Sequence, residues 1–373
     1  MINNRIKTLE GLRALAFLGV VLSHTDFDIF RGVGTWAVSI FFILSGFVAV
    51  ISYKQTDNDK PSIKNNFKYL WRRIKKLYPL HILMTLCMAL FDVIGECRES
   101  IWNILIKLST NILLIQAWFP IAKISYNGVS WFLCVIVFFN FIFLWYIKNN
   151  KNGKTNRKAI ISILSLLLLQ TIVSRLACCI PSPAYSKDMI LVHNLTSWFA
   201  YYYPPIRIID MFIGCNLAFI YKNIKDNDSI DLTWLELISL MLALFAMYIY
   251  FYMIYVRYYT VEPIAVKETW WCYSILFAPS SIALVLLFAL GKGKISKLFS
   301  NRIGMYLAKI SPYAFLIHNV VFLYIHAILQ KLPFIDKQFI INYEPYIRMT
   351  IGFIITLILT NAWIKITKKK PSN

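Results

Sequence analysis

The chain has 373 residues, 58% of them hydrophobic and 16% aromatic, with a mean hydropathy of +0.59. Those values exclude an ordinary soluble domain and indicate an integral protein of the lipid bilayer with many spans. The formal net charge of +21 does not indicate nucleic acid, because the basic residues sit in loops that alternate with apolar runs and no nucleic-acid motif accompanies them.

The first apolar stretch, 9–24, is no cleavable leader: it holds Glu10 and Arg13 and lacks a small-x-small cleavage site. Nine more stretches read as spans, at 33–53, 77–94, 129–147, 159–177, 205–221, 232–255, 270–290, 305–329 and 345–364. An eleventh, 101–119, is interrupted by Asn103, Lys107, Asn111 and Gln116 and runs into Pro120. If it does not cross, 25 basic residues lie on inner loops and termini and 9 on outer segments; if it crosses, 15 of the 25 move outside. The positive-inside bias therefore predicts an all-α fold of about ten transmembrane helices plus one re-entrant or interfacial helix, with both termini cytoplasmic. One integral domain, 1–373, accounts for the chain, with no fused soluble domain expected.

Seven cysteines (Cys87, Cys97, Cys134, Cys178, Cys179, Cys215 and Cys272) show no C-x-x-C spacing. They support neither a disulfide framework nor a metal site, although a pair among Cys97, Cys178, Cys179 and Cys272 stays open. No strong internal repeat and no paired Gly/Pro interruptions appear, which weakens a carrier reading without removing it.

The first span carries the chemistry-bearing pattern. His24 stands eleven positions after Arg13, about 20° past three full turns, so both lie on one helix face roughly 16 Å apart. Glu10, three residues before Arg13, is placed to pair with it. Ionisable groups on one stripe of a membrane helix are costly unless they face protein or water, which favours function over a snorkelling Arg13 and an interfacial His24. His318 lies far enough along an outward-running helix to reach the depth of His24. A neutral imidazole suits general-base work on a hydroxyl, whereas His81, His193 and His326 lack surrounding partners and read as structural.

Three further patches stand out. In Trp71-Arg72-Arg73-Ile74-Lys75-Lys76, Arg73 and Lys76 fall on one helix face and suit phosphates, although an ordinary basic anchor has the same look. Arg207 and Asp210 are spaced to neutralise each other, and a structural pairing is favoured. Trp131 opens a span at an aromatic belt, and Trp198, Tyr201, Tyr202, Tyr203 and Trp270 suit a sugar-stacking surface.

Together these pieces resemble the membrane acyltransferase-3 family, which includes O-antigen, exopolysaccharide and peptidoglycan O-acetyltransferases. The resemblance runs through Leu9-Glu-Gly-Leu-Arg13 with His24 at Arg-x10-His spacing, then Ser39 to Gly46, Arg72-Arg73-x-x-Lys76, Asn111 to Trp118, Ser130-Trp131, Arg207-x-x-Asp210-x-Phe-x-Gly214 and Tyr313 to His318. It implies a multi-pass enzyme of the bacterial cytoplasmic (inner) membrane that moves an acyl group, usually acetyl, from cytoplasmic acyl-CoA to a hydroxyl of a cell-surface glycan or lipid-linked sugar. Acetyl-CoA would be a co-substrate rather than a permanently bound cofactor.

By motif position the resemblance implies a catalytic His24 partnered by Arg13, with Glu10 and His318 as further catalytic candidates. Arg72, Arg73 and Lys76 become candidates for holding acyl-CoA; Lys76 stands where the family has a second arginine and lacks the bidentate fork. Trp131, Arg207 and Asp210 become substrate-side candidates. The run after Trp131 (Phe-Leu-Cys-Val-Ile-Val) lacks the acidic residue many relatives carry. A non-enzymatic carrier or flippase of a polar or lipid-linked solute is the alternative, separated from the enzyme by dependence on an acyl donor.

Overall fold

The computed structural model describes residues 6–54, 61–94, 100–120, 122–123, 125–150, 153–179, 195, 198–226, 230–260, 272–332 and 336–368. Among these residues the chain is helical throughout, with no strand. The helices are α1 (Lys7–Ser23), α2 (Arg31–Ser52), α3 (Ile63–Ile74), α4 (Tyr78–Ile94), α5 (Ile101–Ile112), α6 (Trp131–Lys148) and α7 (Asn156–Cys178). They continue with α8 (Pro204–Ile224), α9 (Thr233–Thr260), α10 (Cys272–Leu290), α11 (Lys294–Phe299), α12 (Arg302–Lys331), α13 (Lys337–Ile347) and α14 (Phe353–Lys368).

Among the described residues seven helical stretches are long and apolar enough to cross a membrane, the stretches Tyr78–Leu90 and Ile275–Leu290 are apolar but shorter, and α1 has 17 residues. A helix occupies each of the ten expected stretches. The stretch 101–119 is different. Its helix α5 has 12 residues, about 18 Å, and stops at Leu113 before a left-handed Leu114 (φ 55°) and a short 3₁₀ turn. Asn111 and Gln116, both fully buried, tie that turn to the start of α6: Asn111 donates to Ser125 Oγ at 2.7 Å and Gln116 to Ser130 Oγ at 3.0 Å. Two of the polar residues that interrupt the apolar run thus fasten it to the loop that leads into α6.

The last expected span, 345–364, is longer than the sequence indicates. α13, a π-turn over Arg348–Gly352 and α14 form one rod from Lys337 to Lys368 despite Pro345.

Helix α1 is the hub, packed between α2, α10 and α12, with Leu12, Ala16 and Phe17 excluded from solvent. Helices α2 and α8 touch backbone to backbone. A Cβ on Gly46 would collide with the Met211 carbonyl, and one on Gly214 with the Ile43 carbonyl. Without a hydrophobic drive between helices in lipid, such close approach through small residues supplies the dispersion contacts that hold them. By contrast α7, α9 and α14 turn rows of apolar side chains outward, among them Leu164, Leu168, Leu242, Phe245 and Ile358, as lipid-facing helices do.

Candidate active site

His24 caps α1. Its ring Nδ1–H donates to the Val20 carbonyl at 2.8 Å, one helical turn back, which turns Nε2 away from the helix. His318, fully buried in α12, repeats the arrangement: Nδ1 donates to Ala314 O at 3.2 Å, and Nε2 finds no hydrogen-bond partner among the described residues. The two rings meet edge to face with centroids 5.0 Å apart. The close packing of α1 on α12 sets that distance.

His24 lines a cavity of about 470 Å³. Its walls are Trp131, Tyr126, Tyr201, Tyr202, Tyr250 and Phe132, with Ser23, Thr35 and Asn319 as the polar edge. Among the described residues no carboxylate, lysine or arginine lines it. Asn127, buried, donates to Leu316 O at 2.9 Å and accepts from Asn319 at 3.3 Å, fastening the loop before α6 to α12 beside the two histidines. Asp26 and Tyr126, with φ of 66° and 56°, adopt the left-handed backbone that non-glycine residues seldom take, and both border this region.

A second cavity, about 330 Å³, lies on the other side. Arg13, Arg73, Ser45 and Asn140 provide its polar groups, and Phe41, Leu133, Ile136, Phe139 and Met211 its apolar wall. Arg13 donates to Glu10 Oε2 at 2.8 Å, as the i, i+3 spacing predicts. Arg73 donates to the Tyr69 hydroxyl at 2.8 Å and to Ser52 Oγ at 3.1 Å, which aims its guanidinium at the mouth of the cavity. Tyr69 is in turn stacked on Phe143 of α6. Phe132 and Phe315 line both cavities, so the two meet at one aromatic seam.

The other candidate residues divide between the cavity walls and the packing behind them. Arg72 and Lys76 line neither cavity; α3 ends at Ile74, so Lys76 sits in the following turn and does not share a helix face with Arg73. Glu10 and His318 also stand behind the cavity walls, each against the residue that reaches in. Arg207 and Asp210 pair at 3.2 Å but are sealed: Gln170 donates to Asp210 at 3.0 Å, and the guanidinium lies over Phe42 and Tyr201. They buttress the aromatic wall from outside it. Of the expected stacking residues, Trp131, Tyr201 and Tyr202 reach the cavity while Trp198 and Tyr203 pack against each other. Trp270, His193 and Cys97, and the side chains of Cys178 and Cys272, lie outside the described residues.

His326 is not without partners. It donates to Glu344 at 2.8 Å; Glu344 pairs with Arg348, and Arg348 binds Asp26 and donates to the His24 carbonyl at 3.4 Å. No local pattern links residues more than 300 positions apart, so only the buried position of an arginine in an apolar span hinted at it. His81 does hold a structural bond, donating to Asn111 O at 2.8 Å. Lys123, buried in the loop before α6, lies over the Tyr202 ring at 5.3 Å, and burial pushes its amine down to about 8.

The acyltransferase-3 family model, described as an acyltransferase domain, matches residues 6–362. The chain belongs to the acyltransferase-3 family. It is 29% identical to acyltransferase MdmB of Streptomyces mycarofaciens over 58% of this chain and 58% of that protein. It is 27% identical to YrhL of Bacillus subtilis (strain 168), a candidate peptidoglycan O-acetyltransferase, over 60% of this chain and 34% of the relative. A candidate O-acetyltransferase of Staphylococcus aureus (strain COL) is 29% identical over 32% of this chain and 19% of its own length. The chain thus spans between about a fifth and three fifths of the curated relatives it matches. No solved structure matches it. Membership in this family, together with the long apolar helices, makes the chain a membrane protein.

Proposed function

We propose that the protein moves an acyl group, usually acetyl, from cytoplasmic acyl-CoA to a hydroxyl of a cell-surface glycan or lipid-linked sugar. The observation that carries this reading is the pair of cavities meeting at Phe132 and Phe315, one with two arginines and one with an imidazole. Two substrates of opposite character need two chambers, and transfer needs them to join.

Arg73 and Arg13 suit the phosphates and the thioester end of acyl-CoA, and Glu10 orients Arg13 through their 2.8 Å ion pair. The apolar wall between them suits the pantetheine arm. In the other chamber aromatic rings and neutral polar groups suit an uncharged sugar ring rather than a phosphate. His24 holds its Nδ1–H on Val20, so its Nε2 lone pair accepts the proton of the acceptor hydroxyl as the oxygen attacks the thioester carbonyl. The C–S bond breaks, the ester forms, and the proton passes to the departing CoA thiolate. His318 supports the ring from behind.

In this reading ten helices cross the bacterial cytoplasmic membrane, α5 caps the outer side, and both termini are cytoplasmic. The 25 to 9 distribution of basic residues supports it. The test is label transfer from radiolabelled acetyl-CoA to extracted envelope glycan in membranes. His24→Ala, inserted at wild-type level, is expected to lose ~10²–10⁴-fold in rate. Transfer retained at the wild-type rate would overturn the role of His24, and none from the wild type would overturn the donor or acceptor.

A further inference from the structure

The seam between the cavities is closed by side chains rather than by backbone. Phe132 of α6 and Phe315 of α12 stand with ring centroids 5.5 Å apart, the separation of rings in contact. Phe41 of α2 backs both, at 6.0 and 6.4 Å, and itself lines the Arg13 cavity. On the far side Phe315 lies 5.9 Å from the His318 ring and lines the His24 cavity. Three helices thus place three rings where the arginine-lined cavity and the His24 cavity share walls. None of these rings makes a polar contact, and phenylalanine side chains turn about two torsions without breaking hydrogen bonds.

Resting on the function proposed above, we infer that Phe132 and Phe315 form a swinging partition that selects the acyl group by length. The CoA nucleotide is held at Arg73, so the acyl carbonyl reaches His24 only by passing between these rings. A two-carbon acyl group needs one ring to turn. A longer tail leads the carbonyl through the seam, so every added methylene must pass between the rings, with Phe41 packed against them, before the carbonyl reaches His24. The same closure keeps water in the His24 cavity from the thioester before the acceptor arrives.

The experiment compares kcat/KM for acetyl-CoA, butyryl-CoA and hexanoyl-CoA in wild type, Phe315→Ala, Phe132→Ala and the milder Phe315→Leu, in membranes with envelope glycan as acceptor. A few methylenes in an apolar pocket discriminate by ~10–200-fold. Each alanine variant is therefore expected to raise the butyryl-to-acetyl ratio at least about tenfold. Acyl-CoA hydrolysis without acceptor should rise in the same variants. Phe315→Leu conserves most of the volume, keeps the test alive if an alanine variant fails to insert, and should give a smaller shift in the same direction. Unchanged ratios in the variants that insert would overturn the partition while leaving the acyltransferase reading intact. Loss of transfer from every acyl-CoA in wild type as well would overturn that reading and the partition with it.

Discussion

Two acid–base pairs of this protein share one sequence spacing and have opposite fates. Glu10–Arg13 and Arg207–Asp210 are both i, i+3 pairs in apolar helices, and both form ion pairs, at 2.8 and 3.2 Å. The first leaves Arg13 26% exposed at the wall of a cavity; the second is sealed, each side chain 2% exposed, behind Phe42 and Tyr201. A buried pair is held by its neighbours and costs most when one member is removed. A pair at a cavity wall leaves its cation free to meet a substrate anion. Spacing makes a pair, and what the neighbouring helices leave open decides whether it can bind.

The comparison breaks most visibly at Arg207. Arg207→Ala leaves the Asp210 carboxylate unpaired inside the bundle, and a loss of ~3–5 kcal/mol is expected. Thermal unfolding in detergent, followed by intrinsic fluorescence, would read it as a large fall in Tm; an unchanged Tm would mean that the pair is not sealed. Arg13→Ala should do the reverse. Its partly exposed pair contributes at most about 1 kcal/mol to stability. Its loss of a charge-assisted contact should nevertheless lower kcat/KM for acyl-CoA by ~10–100-fold. Equal damage to stability from both substitutions would erase the distinction.

Lys123 sharpens the comparison with the smallest effect, as a buried cation that lies over the face of an aromatic ring. Its folded value, about 8, lies below the ordinary lysine value of 10.5, so the unfolded chain binds more protons between those two values. Stability should therefore gain a rising contribution from pH 8 to about 10.5. The difference in Tm between wild type and Lys123→Met, measured from pH 7 to 10, should move in favour of wild type as the pH rises. A difference that stays flat would show that the amine is solvated.

Much of this was readable before any helix was packed. The ten apolar stretches, the polar interruptions of 101–119 and the Arg13–His24 stripe follow from periods of the α-helix and the cost of charge in lipid, both local properties. A similar depth for His24 and His318 was legible; their contact at 5.0 Å was not, because it depends on how α1 packs on α12. The Asp26–Arg348–Glu344–His326 chain was not legible, because its members come from the two ends of the sequence and each looks ordinary in its own helix. Nor was the loss of Lys76 from the Arg73 face, which depends on where α3 stops.

By itself the sequence determined an all-helical membrane chain, its family, and the pairings that one helix can make within three or four residues. Those depend on hydropathy, periodicity and motif order, which need no neighbour. Only the tertiary structure decided that Arg13 and Arg73 share one cavity, that His24 faces another, and that Phe132 and Phe315 stand between them. Each of those facts depends on how α1, α2, α3, α6 and α12 pack, and close packing is a property of several helices at once.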